Sequence, residues 1–174
     1  MKLLFVIDVQ NGFVSNRTQD VIPKILTLMD AFQEDLIIST KFINTENSGF
    51  TNIMHWDRLK KAPETDLYVG IGVRSSIVIE KTTYSACTPE VCNIIHKYGI
   101  KEAYISGIDT DCCVLKTAID LFEMDVRPIV LTSYCASNGG VESHNAAIKV
   151  LERTIGERQL CADTVAQIIK NADD

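Results

Sequence analysis

Three places in the chain hold side chains that would make a hydrolytic centre if they met. They are Asp8, Lys81 and the adjacent pair Cys112 and Cys113. A cysteine thiolate attacks a carbonyl carbon. A carboxylate takes the thiol proton and returns it to a departing amine. A cation beside the thiol lowers its pKa and keeps the carboxylate ionised. The oxyanion formed on attack needs fixed donors, and the backbone N–H groups of the turn between Ile108 and Cys113 can supply them. Such a centre needs no histidine, and none of the three in the chain lies near these positions in sequence.

The elements that must position these groups follow from the apolar pattern. Each reactive residue falls at the carboxyl end of a predicted strand. Lys2–Val9 is a nearly continuous apolar run that reads as a strand buried on both faces, and it carries Asp8. Leu36–Phe42 is a second strand. Ser75–Glu80 is a third, ending at Lys81. Ala103–Ile108 is a fourth and runs into the cysteine pair. Pro128–Thr132 is a fifth, and Gln159–Ala162 a short sixth.

Helical spacing is read between them at 21–32, from Thr88 to Gly99, at 113–123, at 143–155 and at 164–171. Thr88 caps the second of these with Pro89 at its first position, and Val91, Ile94, Ile95 and Tyr98 are its expected buried face. Strands alternating with helices indicate an α/β parallel sheet covered on both faces. In such sheets ligands bind beyond the carboxyl ends of the strands, so Asp8, Lys81 and the cysteines would share one rim. A thiol at a strand-to-helix turn also meets unpaired N–H groups and the positive end of the helix dipole, which favours thiolate.

The totals narrow the class. One domain spanning 1–174 is expected. A formal net charge of -6 argues against a nucleic-acid or anionic-membrane surface. No apolar run is long enough to span a bilayer, and Asp8 interrupts the first one, so a cytoplasmic protein is expected. The cysteines have neither the context of a disulfide framework nor the spacing of a zinc site. Most are expected to be buried and unreactive.

Other residues are candidates for lining a site. Gln10 and Phe13 lie just past Asp8. Trp56 sits in the long connection 44–63, which reads as a lid and also holds Phe50 and His55. Tyr84 follows Lys81. His96 is expected at the surface and His144 at the surface or an interface, and the turn Ser137-Asn138-Gly139-Gly140 falls on the same rim as the reactive residues.

Three motifs, in order, resemble the isochorismatase-like cysteine hydrolase family, which includes nicotinamidases and N-carbamoylsarcosine amidase. Asp8-Val9-Gln10-Asn11-Gly12-Phe13 is similar to D-x-Q-x-x-F. Lys81-Thr82-Thr83-Tyr84-Ser85-Ala86 resembles K-x-x-x-S-A-F, with Cys87 where the aromatic would stand. Gly107-Ile108-Asp109-Thr110-Asp111-Cys112-Cys113-Val114, followed by Thr117-Ala118, resembles G-x-x-T-D-x-C-V-x-x-T-A.

The resemblance covers nearly the whole chain. It implies a three-layer Rossmann-like fold with a mainly parallel six-stranded sheet in the order 3-2-1-4-5-6. It implies Asp8 as base, Lys81 as cation and a cysteine nucleophile, with Cys113 selected because it directly precedes Val114. It also implies oxyanion donors at the Asp109 and Cys113 N–H groups, a cis peptide at Ile108–Asp109, and a homo-oligomer. Nicotinamidases of the family hold a metal through histidines after the second strand. Thr40–Phe50 has none, so no metal, no cofactor and a substrate other than nicotinamide are expected. The chain has the cysteine that some isochorismatase-type members lack, so isochorismate is not expected either.

The activity implied is hydrolysis of a small amide or carbamoyl C–N bond through a thioester. Rival readings remain from other classes. A nucleotide-binding module is disfavoured because the first turn carries Asp8 rather than a glycine-rich phosphate loop. A thiol-redox protein using Cys112 and Cys113, or a non-catalytic small-molecule binder on the same fold, would show itself by reversible oxidation or by unreactive cysteines.

Overall fold

The computed structural model describes residues 2–32 and 35–173. Six strands form one sheet: β1 Leu3–Ile7, β2 Leu36–Phe42, β3 Ile77–Lys81, β4 Glu102–Ile108, β5 Arg127–Ala136 and β6 Leu160–Cys161. Their order is β3-β2-β1-β4-β5-β6, and every pairing is parallel. This is the sheet order implied by the resemblance. The helices are α1 Ile22–Ala31, α2 Gly49–Asn52, α3 Pro89–Tyr98, α4 Leu115–Glu123, α5 Val141–Thr154 and α6 Val165–Asp173.

The central strand shows why the sheet must be covered on both sides. All five residues of β1 are fully buried. Because successive side chains point to opposite faces, Leu3, Phe5 and Ile7 enter one core and Leu4 and Val6 the other. The first core is closed by Val91 and Ile95 of α3, Ala118 and Leu121 of α4, and Leu151 of α5. The second is closed by Ile25, Leu28 and Met29 of α1 and Ile168 of α6.

The ends of α3 follow the sequence signals. The Thr88 side chain accepts a hydrogen bond from the Val91 N–H, and Gly99 terminates the helix with φ 60°. Its buried face is narrower than expected. Val91 and Ile95 are buried and Ile94 half so, but Tyr98 is 49% exposed, with Lys97 Nζ 5.0 Å from its ring centre.

The main departure is β5, which runs to Ala136 rather than stopping at Thr132. Its register against β4 jumps from Ile105–Val130 to Gly107–Cys135, so β5 bulges at 131–134. Thr132 and Ser133 break the apolar run there. Their hydroxyls donate to the carbonyls of Cys161 and Ala162, so the polar pair sits inside a strand. The added length carries the chain to the carboxyl rim before Ser137 and Asn138.

At Gly107 the backbone of β4 presses closely on that of β1. The glycine's φ is +127°, and a Cβ there would lie 2.2 Å from the Ile7 carbonyl oxygen, which is backbone and cannot step aside. Gly107→Ala should therefore lose more than about 3 kcal/mol of unfolding free energy, or fail to accumulate as folded protein. Urea denaturation checks this, and a loss under about 1 kcal/mol would refute the rigidity assigned to this crossing.

Candidate active site

Asp8, Lys81 and Cys113 meet at the carboxyl rim of the sheet. Asp8 leaves β1 with φ 49°, a left-handed conformation that turns its side chain sharply out of the strand. Its position is fixed from β2. The Thr40 hydroxyl donates to Asp8 Oδ1 at 2.6 Å, and the Asp8 N–H donates to Thr40 Oγ1 at 3.1 Å. Oδ2 has no well-aligned donor and is held by charge, with Lys81 Nζ 2.7 Å away and both side chains fully buried. Lys81 Nζ also donates to the carbonyls of Thr83 and Tyr84 at 2.8 and 3.1 Å, and lies 3.5 Å from Cys113 Sγ.

Cys113 is in a turn of π-helix, Thr110–Val114, that leads from β4 into α4. The peptide Ile108–Asp109 is cis. The turn is braced from two directions. The Thr110 hydroxyl pairs with Nδ1 of His144 on α5 at 2.8 Å, and the Asp111 carboxylate accepts from Ser137 Oγ at 2.5 Å. From α4, the Thr117 hydroxyl accepts the Ala86 N–H at 2.9 Å, tying the loop after Lys81 to the helix that follows Cys113.

A thiolate is the expected form at this turn, but the surroundings of Cys113 oppose it. Burial pushes the Cys113 thiol well above the ordinary range, the nearby Asp8 carboxylate pushes it further, and Lys81 opposes both. Burial acts to lower Lys81, but Asp8 and Cys113 outweigh it and the ammonium is raised. The centre is therefore an ion pair of Lys81 and Asp8 beside a thiol that burial raises. Cys112 is raised to about 11 by burial and by the charges of Asp111 and Asp109.

A cavity of about 260 Å³ opens onto Cys113, and Cys112 also borders it. Its walls are aromatic: Phe13, Phe42, Phe50, Trp56 and Tyr84, with Met54. Phe13 and Trp56 stack with ring centres 6.2 Å apart, and Phe50 meets Phe42 and Tyr84 edge-on at 4.9 Å each. The long connection after β2 supplies Phe50, Trp56 and Arg58 and is stapled in place. Asn44 Nδ2 donates to the carbonyls of Trp56 and Arg58, and Glu64 accepts from Arg58 Nε and the Leu59 N–H.

Phe13, Trp56 and Tyr84 thus border the cavity. Gln10 does not. Its amide is fully buried behind the wall, donating to the carbonyls of Phe42 and Thr65 and accepting the Phe42 N–H at 2.7 Å. It joins β2 to the lid rather than facing a ligand. His55 is exposed and off the cavity, and His96 is at the surface. His144, expected there or at an interface, is half-buried against Thr110, so a histidine does touch the cysteine turn.

Sequence reading missed Thr40, Phe42, Met54, Arg58, and Asn138 as a wall residue. Only Thr40 carried a signal, as one of three polar residues, with Ser39 and Lys41, in an otherwise apolar strand.

The sequence of residues 2–165 matches the isochorismatase domain. The chain belongs to the isochorismatase family. Membership makes it a hydrolase by class. Isochorismatase family protein 1A of Dictyostelium discoideum is 29% identical over 156 residues, covering 87% of this chain and 68% of that protein. Among solved structures, an isochorismatase-like hydrolase from Alkaliphilus metalliredigens has a TM-score of 0.84 at 19% identity, covering 99% of this chain and 100% of that one. A nicotinamidase from Bacillus subtilis has a TM-score of 0.81 at 22% identity over 92% of this chain and 98% of its own.

The metal found in some nicotinamidases of the family does not fit the residues here. Among the described residues no group of three or more His, Cys, Asp or Glu is placed to hold an ion. Asn44, after β2, is engaged by backbone carbonyls and Ser48 instead. Nor is any helix among the described residues long and apolar enough to cross a membrane.

Two outcomes follow from these contacts. Asp8→Asn removes the negative charge that raises the thiol and leaves Lys81 needing a counter-ion, so the Cys113 pKa must fall. Alkylation of Cys113 by iodoacetamide at pH 7, located by peptide mass spectrometry, should then be at least about tenfold faster than in the natural protein. An unchanged rate would contradict the role of Asp8 in raising the thiol. Gln10→Ala strands a buried N–H and two carbonyls and should cost roughly 2–3 kcal/mol in urea unfolding.

Proposed function

We propose that this protein hydrolyses a C–N bond of a small amide or carbamoyl compound through a thioester on Cys113. The observation that carries the reading is the buried contact of Asp8 and Lys81 with Cys113, which borders a ligand-sized cavity. Membership of a hydrolase family supports it.

The chemistry follows from the charges. A substrate carbonyl enters over Cys113 Sγ and displaces water from the aromatic walls. Asp8 takes the thiol proton, and the thiolate that forms is neutralised by Lys81, whose charge was already there. Sulfur bonds to the carbonyl carbon, and the C=O electron pair moves to oxygen. The N–H groups of Asp109 and Cys113 are the donors assigned to that oxyanion.

Collapse of the tetrahedral adduct breaks the C–N bond. The leaving nitrogen takes the proton held on Asp8 and departs as ammonia or an amine. Water then attacks the thioester with Asp8 again as base. The acid leaves, and the proton returns to sulfur. Lys81 stays protonated throughout, because all of its contacts are acceptors.

The test is ammonia release across a panel of small primary amides, followed by intact-mass measurement of rapidly quenched reactions. A substrate should leave an acyl adduct on Cys113, and Cys113→Ala should lower turnover by at least about a thousandfold. Asp8→Asn and Lys81→Ala should each lose a similar factor without the losses multiplying, since the three groups act as one unit. Full turnover by Cys113→Ala on a proven substrate would sink the mechanism.

A further inference from the structure

The charges around the cavity do not cancel. Two cations border it or its floor, and both are matched. Lys81 Nζ is 2.7 Å from Asp8, and Arg58 Nε is 3.0 Å from Glu64. Asp109 also borders the cavity, at the start of the cysteine turn, and among the described residues it has no cationic partner. Its Oδ1 accepts two hydrogen bonds from Asn138, from the backbone N–H at 2.7 Å and from Nδ2 at 2.9 Å. Both donors are neutral.

Asn138 is itself fixed: Nδ2 also donates to the Phe13 carbonyl, and Oδ1 accepts from the Ser15 hydroxyl. The carboxylate is thus held rigidly, half-buried, with its charge unanswered. Burial, followed by the nearby charges of Asp111 and Asp8, raises it to about 6 against the two Asn138 bonds. A cation arriving in the cavity would relieve that.

The remaining walls favour the same guest. Aromatic rings attract cations through their negative faces, and several rings around one space form a cage for ammonium groups. Phe13 stacked on Trp56 and Phe50 set edge-on to Tyr84 provide such a wall. Phe42 already has Lys81 Nζ 5.2 Å from its ring centre. An anionic substrate would meet the opposite situation: the Asp109 carboxylate, and no unpaired cation among the lining residues, since Arg17, which donates to the Asn138 carbonyl at 2.8 Å, is not one of them.

We propose that Asp109 is a specificity-determining residue that, with the aromatic walls, selects a small amide carrying a positively charged group such as an ammonium or quaternary ammonium. The assignment rests on reading this cavity as the substrate site. Asn138 acts through Asp109 as a positioning residue.

The experiment compares two primary amides of nearly the same shape that differ in charge. One is trimethylglycinamide, with a quaternary ammonium, and the other is 3,3-dimethylbutanamide, with a tert-butyl group in its place. Binding is measured to the full chain bearing Cys113→Ala, so that neither is consumed. Trp56 is the only tryptophan and borders the cavity, so its fluorescence reports occupancy, with calorimetry as a second readout.

The cation should bind at least about tenfold more tightly than its neutral twin. The preference should shrink with added salt and fall to near unity when Asp109→Asn is added. Equal affinities, a neutral preference or no binding of either would overturn the proposal, as would a preference that survives Asp109→Asn. Because the first comparison needs no change at Asp109, it stands even if that variant folds poorly.

Ammonia release from the same pair by the natural protein separates the two readings. Selective binding of the cation without hydrolysis of any amide would count against the hydrolase mechanism and leave charge selection standing. Hydrolysis of both amides with equal kcat/KM would count against charge selection and leave the mechanism standing.

Discussion

The buried ion pair of Lys81 and Asp8 is the constraint on which the rest of the site depends. Removing two charges from water costs several kcal/mol each, and only close pairing with full hydrogen bonding offsets it. Here the offset comes from three strands and a loop. β1 delivers the carboxylate, β2 the Thr40 hydroxyl that holds one of its oxygens, and β3 the ammonium. The loop after β3 adds two carbonyls. A chain that folds this sheet in this order has little freedom over where the two charges lie.

The pair also decides the state of the thiol. A lone lysine would draw Cys113 into the thiolate form, and a lone aspartate would lock the proton on sulfur. With both present the two charges oppose each other, and burial acts with Asp8 to raise the thiol. A raised thiol pKa means less thiolate at neutral pH, and thiolate is the form that alkylating and oxidising agents attack.

Around this floor the cavity wall is assembled from segments with little regular structure. The connection after β2 is held by side-chain amides and carboxylates bonded to backbone: Gln10, Asn44 and Glu64 take the place of a ladder. This explains how a long, largely irregular segment can present Phe50 and Trp56 in fixed positions. It also explains why Gln10, which follows Asp8 so closely, serves the wall from behind. The opposite wall depends on the bulged β5, whose extra residues bring Asn138 across to Asp109 and Phe13.

The sequence by itself determined the sheet, its parallel sense and the meeting of Asp8, Lys81 and the cysteine pair. Apolar runs and helical spacing are local signals, and a parallel α/β sheet sends every strand's carboxyl end to one rim. Chemistry alone did not choose between Cys112 and Cys113. The family motif pointed to Cys113, and in the structure it is Cys113 Sγ that lies 3.5 Å from Lys81 Nζ. The tertiary structure alone decided the burial that raises the Cys113 thiol, the retreat of Gln10 from the cavity, the contact of His144 with the cysteine turn, and the unbalanced charge on Asp109. Each depends on burial and on partners far away in the chain: Asp109 meets Asn138, Thr110 meets His144, and Gln10 meets Phe42 and Thr65. Spacing in a sequence carries the period of a helix or strand, but it carries neither the depth of a side chain nor the sum of the charges around it.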